Sequence, residues 1–189
     1  MSMHTSLVIT IVGEDKPGIV EEISGVVLAV GANWEESRMA RLGGKFAGIL
    51  RVTADAAKSR DLARALTALH GLTVVVETGA AEAEVPFRTI GLELVGHDRP
   101  GIVREISRVL AERGVNIEEF ESEITSAPDS GDALFRGRAR LRTPPRLAPD
   151  ALRAALEAVA LDLMVDLKIE ESGSRDQESG FRNQDSGLV

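Results

Sequence analysis

Two aspartates, two glycines and two asparagines recur in this sequence at matching intervals. Asp15 lies in GEDKPGIV, Gly13 to Val20, and Asp98 in GHDRPGIV, Gly96 to Val103. Six of the eight positions are identical; Glu14 stands against His97 and Lys16 against Arg99. Asn33 and Asn116 each follow the last glycine of their loop by 15 residues. A carboxylate, a carboxamide and the free N–H groups of a helix start are together suited to a zwitterionic amino acid. The helix start favours the ligand's carboxylate, and the aspartate favours its ammonium. This reading expects the end of the first strand and the start of the second to be neighbours at one end of a sheet, so that loop and asparagine converge.

A structural reading competes with it. Asp15 and Asp98 precede Pro17 and Pro100 by two residues, near an N-cap, where a carboxylate accepts free backbone N–H groups. The prolines suit a first helical turn. Gly18 and Gly101 remove side-chain bulk where something approaches the backbone. Asn33 and Asn116 would be turn residues leaving a helix through glycine. At this level a helix cap and a ligand contact are equally open.

Catalysis finds little support. The histidines are His4, His70 and His97, none with a nucleophile or partner base beside it in sequence. His97, in the second loop, is a candidate ligand contact. No His/Asp/Glu cluster has metal-ligand spacing, and the absence of cysteine excludes disulfides and thiolate metal sites. GEDKPG is neither the dinucleotide nor the triphosphate glycine motif. No catalytic residue, metal or cofactor is expected.

The elements that carry these loops repeat as well. At the same offset of 83 positions, Ile23-Ser24 matches Ile106-Ser107, Gly31 and Asn33 match Gly114 and Asn116, and Glu35-Glu36 matches Glu118-Glu119. The chain therefore reads as two copies of one module joined near Ala80 to Pro86. Each copy opens with a β-branched strand (Leu7 to Val12; Thr89 to Val95). A helix follows the loop, with apolar stripes through Ile19, Ile23, Val26, Val27 and Val30, and through Ile102, Ile106, Val109 and Leu110. Gly31 and Gly114 mark left-handed helix ends. A hairpin comes next, turning at Gly43-Gly44 in the first copy and through a longer loop, Ser126 to Asp132, in the second. A second helix and a closing strand (Leu72 to Glu77; Leu161 to Ile169) complete each copy. The order βαββαβ, twice, predicts an α+β chain of two ferredoxin-like modules, each a four-stranded antiparallel sheet with two helices on one face. The first spans residues 5–80 and the second 86–170; the polar, Gly/Ser-rich segment 171–189 is expected to be mobile.

On the uncovered sheet face of the second copy, Arg136, Arg138, Arg140 and Arg142 alternate along one strand, and Glu119, Glu121 and Glu123 along its neighbour. Taken alone the arginines resemble a nucleic-acid stripe; beside the glutamates they read as a self-neutralised, solvated face. A net charge of -8 likewise argues against direct binding to nucleic acid. No apolar run approaches the ~20 residues of a membrane span, and no signal peptide is evident, so a cytoplasmic protein is expected.

With loop, helix, Gly-x-Asn and hairpin in place, the repeat resembles the ACT domain, a small βαββαβ regulatory module that commonly binds amino acids. GEDKPGIV with GANWEES, and GHDRPGIV with GVNIEEFES, carry the likeness, which runs from about Ser6 to Glu170. The tandem arrangement and the hairpin ESRMARLGGKFAGILRV look like the group of glycine cleavage system transcriptional repressors. That resemblance implies a regulator without enzymatic activity. It would respond to a small amino acid of the glycine or serine class and act through a protein partner such as a transcription activator. Serine-binding ACT domains use an Asn two residues before the proline, where both loops here carry Asp, and the Asn of Gly-x-Asn. By that likeness Asp15, Asn33, Asp98 and Asn116 match contact positions, and with the loop residues around them the candidate ligand contacts are Asp15, Lys16, Pro17, Gly18, Ile19 and Asn33 in the first copy. In the second they are His97, Asp98, Arg99, Pro100, Gly101, Ile102 and Asn116. The amino acid in such modules usually sits between two ACT domains, paired within a chain or across a homodimer. Two alternatives remain: a structural or interaction module without a ligand, and a detached regulatory part of an amino-acid or one-carbon metabolic enzyme.

Overall fold

The computed structural model describes residues 4–79, 86–127 and 131–171. The expectations for the linker, the tip of the second hairpin and the tail at 172–189 fall largely outside these residues. The chain divides into two compact units, with the boundary between residues 83 and 84.

The first unit runs β1 (His4–Glu14), α1 (Ile19–Val30), β2 (Asn33–Leu42), β3 (Lys45–Asp55), α2 (Ser59–Thr67) and β4 (Leu72–Thr78). The second repeats it as β5 (Arg88–His97), α3 (Ile102–Glu112), β6 (Asn116–Ser126), β7 (Ala133–Thr143), α4 (Pro149–Leu163) and β8 (Val165–Glu171). Each sheet is antiparallel at every pairing, in the orders β2-β3-β1-β4 and β6-β7-β5-β8. This is the expected split βαββαβ arrangement.

Alternation along the central strands decides which face is covered. Leu7, Ile9 and Ile11 of β1 and Leu50, Val52 and Ala54 of β3 point inward against Ile19, Ile23 and Val27 of α1 and Leu62 and Leu66 of α2. The second core repeats the scheme with Ile90, Leu92, Leu94, Ile102, Ile106, Leu110, Leu152 and Leu156. Burying a side chain of this size contributes about 1.5–3 kcal/mol. The Gly43-Gly44 turn has both residues at positive φ, 57 and 76, the geometry of a two-residue hairpin whose twist matches its strands.

The second module closes differently from the sequence reading. Leu161 to Leu163 belong to α4, not to the closing strand, because Leu156, Ala160 and Leu163 continue its buried stripe. Met164 then ends the helix in the left-handed region at φ 52. Such a conformation costs an L side chain roughly 1–2 kcal/mol. Met164→Gly, at an exposed position, is therefore expected to stabilise the module by roughly 0.5–1 kcal/mol after the added chain entropy of glycine. The readout is a higher urea midpoint at an unchanged slope.

The outer face of the second sheet is the self-neutralised lattice that the alternation predicted. Glu119, Glu121 and Glu123 stand opposite Arg140, Arg138 and Arg136 in register. Arg138 also lies 3.5 Å from Glu93 on β5, and Lys168 on β8 pairs with Glu170. That hydrogen bond raises the Lys168 pKa and lowers that of Glu170. The first sheet's outer face is mixed by contrast: Val12, Ile49 and Val75 are about half exposed, and ion pairs of Arg38 with Glu36, Arg51 with Glu35 and Lys45 with Glu14 stand around them.

The repeated Glu-Glu pair has a structural cause that spacing alone did not reveal. The register slips between Trp34 and Glu36 and between Ile117 and Glu119. Neighbouring strand residues normally point to opposite faces, but a bulge turns two toward one side. Glu35 and Glu36 lie 3.2 and 3.3 Å from Arg51, and Glu118 and Glu119 lie 3.4 and 2.7 Å from Arg140.

Candidate functional site

Each Gly-Pro loop leaves the central strand β1 or β5 and enters α1 or α3. Its backbone is anchored to the hairpin: the Asp15 N–H donates to the Gly44 carbonyl at 3.0 Å, and the Asp98 N–H to Ala133 at 2.9 Å. The loop therefore sits beside the end of β2 and the start of β3, or of β6 and β7. The same side of the sheet carries Arg41 in the first copy and Ile124 in the second.

Neither aspartate caps its helix. The N-cap residues are Gly18, at φ 94, and Gly101, at φ 102, and neither helix start has a side-chain cap hydrogen bond. The positive φ explains the glycines, and nothing lies within 4 Å of a Cβ built at either. Close packing is not their reason, contrary to the reading from sequence. The prolines correspondingly precede the N-cap and do not occupy the first turn. Both helix starts thus keep backbone N–H groups that no side chain satisfies, with open space over the glycine.

The carboxylates have different fates. Arg41 Nε donates to Asp15 at 2.5 Å, Lys16 pairs with Glu22 at 3.2 Å, and Glu14 pairs with Lys45. In the second copy the Asp98 carboxylate has no hydrogen-bond or ionic partner among the described residues. Arg99 donates to the backbone carbonyl of Asp162 at the end of α4. His97 is the last residue of β5 and is exposed. Ile19 and Ile102, both 2% exposed, anchor the helices in the cores; Ile102 also reaches the floor of an open cavity of about 530 Å³ beside Asp98.

The asparagines are not where convergence requires them. Asn33 pairs with Thr53, and Thr53 with Ser6, whereas the loop follows Glu14 opposite Lys45. Asn116 likewise pairs with Arg142 and through it Thr89, while the second loop follows His97 opposite Leu134. Each asparagine is thus roughly 25 Å along the sheet from its own loop at about 3.3 Å per residue. The physical reason is the crossover. β1 and β2 run parallel with α1 between them, so the end of one and the start of the other fall at opposite ends of the sheet. Asn33 and Asn116 cannot share a ligand with the loop of their own copy.

Among the described residues no group of His, Asp and Glu is arranged to hold a metal ion, and no helix is long and apolar enough to cross a membrane.

Comparison with known proteins agrees with the fold. Residues 5–77 match one family model and residues 91–136 a second, both described as ACT domain. The glycine cleavage system transcriptional repressor of Escherichia coli K12 is 25% identical over 168 residues, covering 86% of this chain and 88% of that protein. An uncharacterised protein from Galdieria sulphuraria superposes with a TM-score of 0.83 at 35% identity, over 90% of this chain and all of that one. A crystal structure provisionally described as a glycine cleavage system transcriptional repressor superposes with a TM-score of 0.67 at 20% identity, over 92% of this chain and all of that one, a likeness of fold.

Proposed function

This chain belongs to the ACT-domain family, and from that premise we propose that it is a non-enzymatic regulator that senses an amino acid. It is related at low identity to the glycine cleavage system transcriptional repressor. The amino acid is taken at the Gly-Pro loops, and the response passes to a protein partner, such as a transcription activator, in the cytoplasm. The observation that carries the reading is the pair of loops. Each presents an aspartate that its helix does not use and a helix start that no side chain caps. A carboxylate beside free N–H groups complements an ammonium beside a carboxylate. The asparagines, displaced along the sheet, take no part in binding at their own loops. The net charge of -8 supports action through a protein and not through DNA.

A thermal-shift series with each of the twenty amino acids tests this. A ligand bound only by the native state stabilises it by about 2.7 kcal/mol at one hundred times its Kd. At least one amino acid is expected to raise the melting temperature progressively with concentration. A flat response to all of them at millimolar concentration would leave a structural module and remove the sensor.

A further inference from the structure

The two Gly-Pro corners share a backbone and differ in electrostatic state. In the first, Arg41 holds Asp15 and Glu22 holds Lys16. Register identifies the counterpart of Arg41: it stands opposite Phe46 on β3, as Ile124 stands opposite Phe135 on β7. An isoleucine thus replaces the arginine that locks the first loop, and Asp98 is left without a partner among the described residues. Arg104, in the first turn of α3, also has no ionic or hydrogen-bond partner among them, whereas the first copy has Glu21 at the matching position. Asp98 and Arg104 border the same cavity of about 530 Å³, and its wall is made by Ile102, Val103, Ile124 and Phe135.

We propose that the second copy alone takes the ligand, and that the ligand is an α-amino acid with an aliphatic side chain. The proposal rests on the reading that an amino acid is taken at a Gly-Pro loop, narrows that reading from two loops to one, and departs from the glycine or serine that family likeness suggests. The ammonium pairs with Asp98, the carboxylate with Arg104 and the uncapped N–H groups at the start of α3, and the side chain covers Ile124 and Phe135. Glycine would satisfy the charges and leave the apolar wall wet. The first corner is closed because its carboxylate already has a cation, and because the arginine supplying it stands in the place of the apolar wall.

Isothermal titration of the full chain with leucine tests the proposal. One leucine is expected per chain. Glycine should bind at least about tenfold more weakly, since each buried methylene contributes several-fold. 4-Methylpentanoate, lacking the ammonium, and isopentylamine, lacking the carboxylate, should each lose about tenfold, the worth of a charge-assisted hydrogen bond. Asp98→Asn should lose about tenfold for the same reason. Ile124→Arg, which grafts the lock of the first copy at an exposed edge position, should do likewise while the melting temperature without ligand stays unchanged. Two equivalent leucine sites per chain would overturn the proposal, as would leucine binding that survives both substitutions. Glycine binding as tightly as leucine would overturn the aliphatic class and leave the loop reading standing. Failure of every amino acid to bind would remove the loop reading itself.

Discussion

Gly96→Ala is expected to cost the second module about 3 kcal/mol, the upper part of the range for overpacking a tight site. A Cβ at Gly96 would lie 2.8 Å from the Met164 carbonyl oxygen and 2.9 Å from Val165 Cα. Both are backbone atoms at the point where β8 joins β5, for Gly96 pairs with Val165. Relief requires shifting the closing strand away from the centre of the sheet. Gly13→Ala should behave alike in the first module, where the added atom would meet the Gly71 carbonyl oxygen at 2.6 Å. Gly18 and Gly101 give the comparison. With open space around them, their replacement by alanine should cost only the backbone term, about 1–2 kcal/mol. Urea unfolding followed by circular dichroism separates the two classes. A Gly96→Ala protein as stable as wild type would contradict the closeness of β5 and β8.

Leu110→Ala should cost about 3 kcal/mol, within the 2–5 kcal/mol seen for large-to-small changes in cores. Leu110 is fully buried at the end of α3, among Ile106, Val109 and Val115. Phe135 is the one buried aromatic among the described residues, so each module relies on interdigitated aliphatic side chains. Leu66→Ala in α2 should cost a similar amount in the first module, where Leu66 is equally buried. Chemical denaturation reads both values. A loss below about 1 kcal/mol would mean that the core collapses around the missing atoms, against the close packing of protein interiors.

The fold was legible in the sequence because its signals are local and repeated. The octapeptide, the stripes through Ile19, Ile23 and Val27, and the Gly43-Gly44 turn all act within a few residues. The opposition of Glu119, Glu121 and Glu123 to Arg140, Arg138 and Arg136 followed from alternation alone. The site was less legible because its geometry depends on the topology of the whole sheet. Asn33 and Asn116 lie near their loops in sequence, yet the parallel crossover carries them to the far end. The fate of Asp15 depends on Arg41, 26 residues away, and that of Asp98 on Ile124 at the matching place. The twofold bulge was visible only as a repeated Glu-Glu pair without a reason. The end of α4 was misplaced because a methionine, and not a glycine, adopts the left-handed turn.

The contrast between the outer faces makes the two modules respond to ionic strength in different proportions. On the second sheet, attractions among exposed charges weaken as the screening length falls from about 8 Å in physiological salt to about 3 Å at 1 M. On the first sheet, a salting-out anion such as sulfate raises the free energy of leaving Val12, Ile49 and Val75 in water. One solvent variable therefore loosens the ion pairs of both faces, the lattice of the second most of all, and makes the apolar centre of the first less soluble, although both share one architecture.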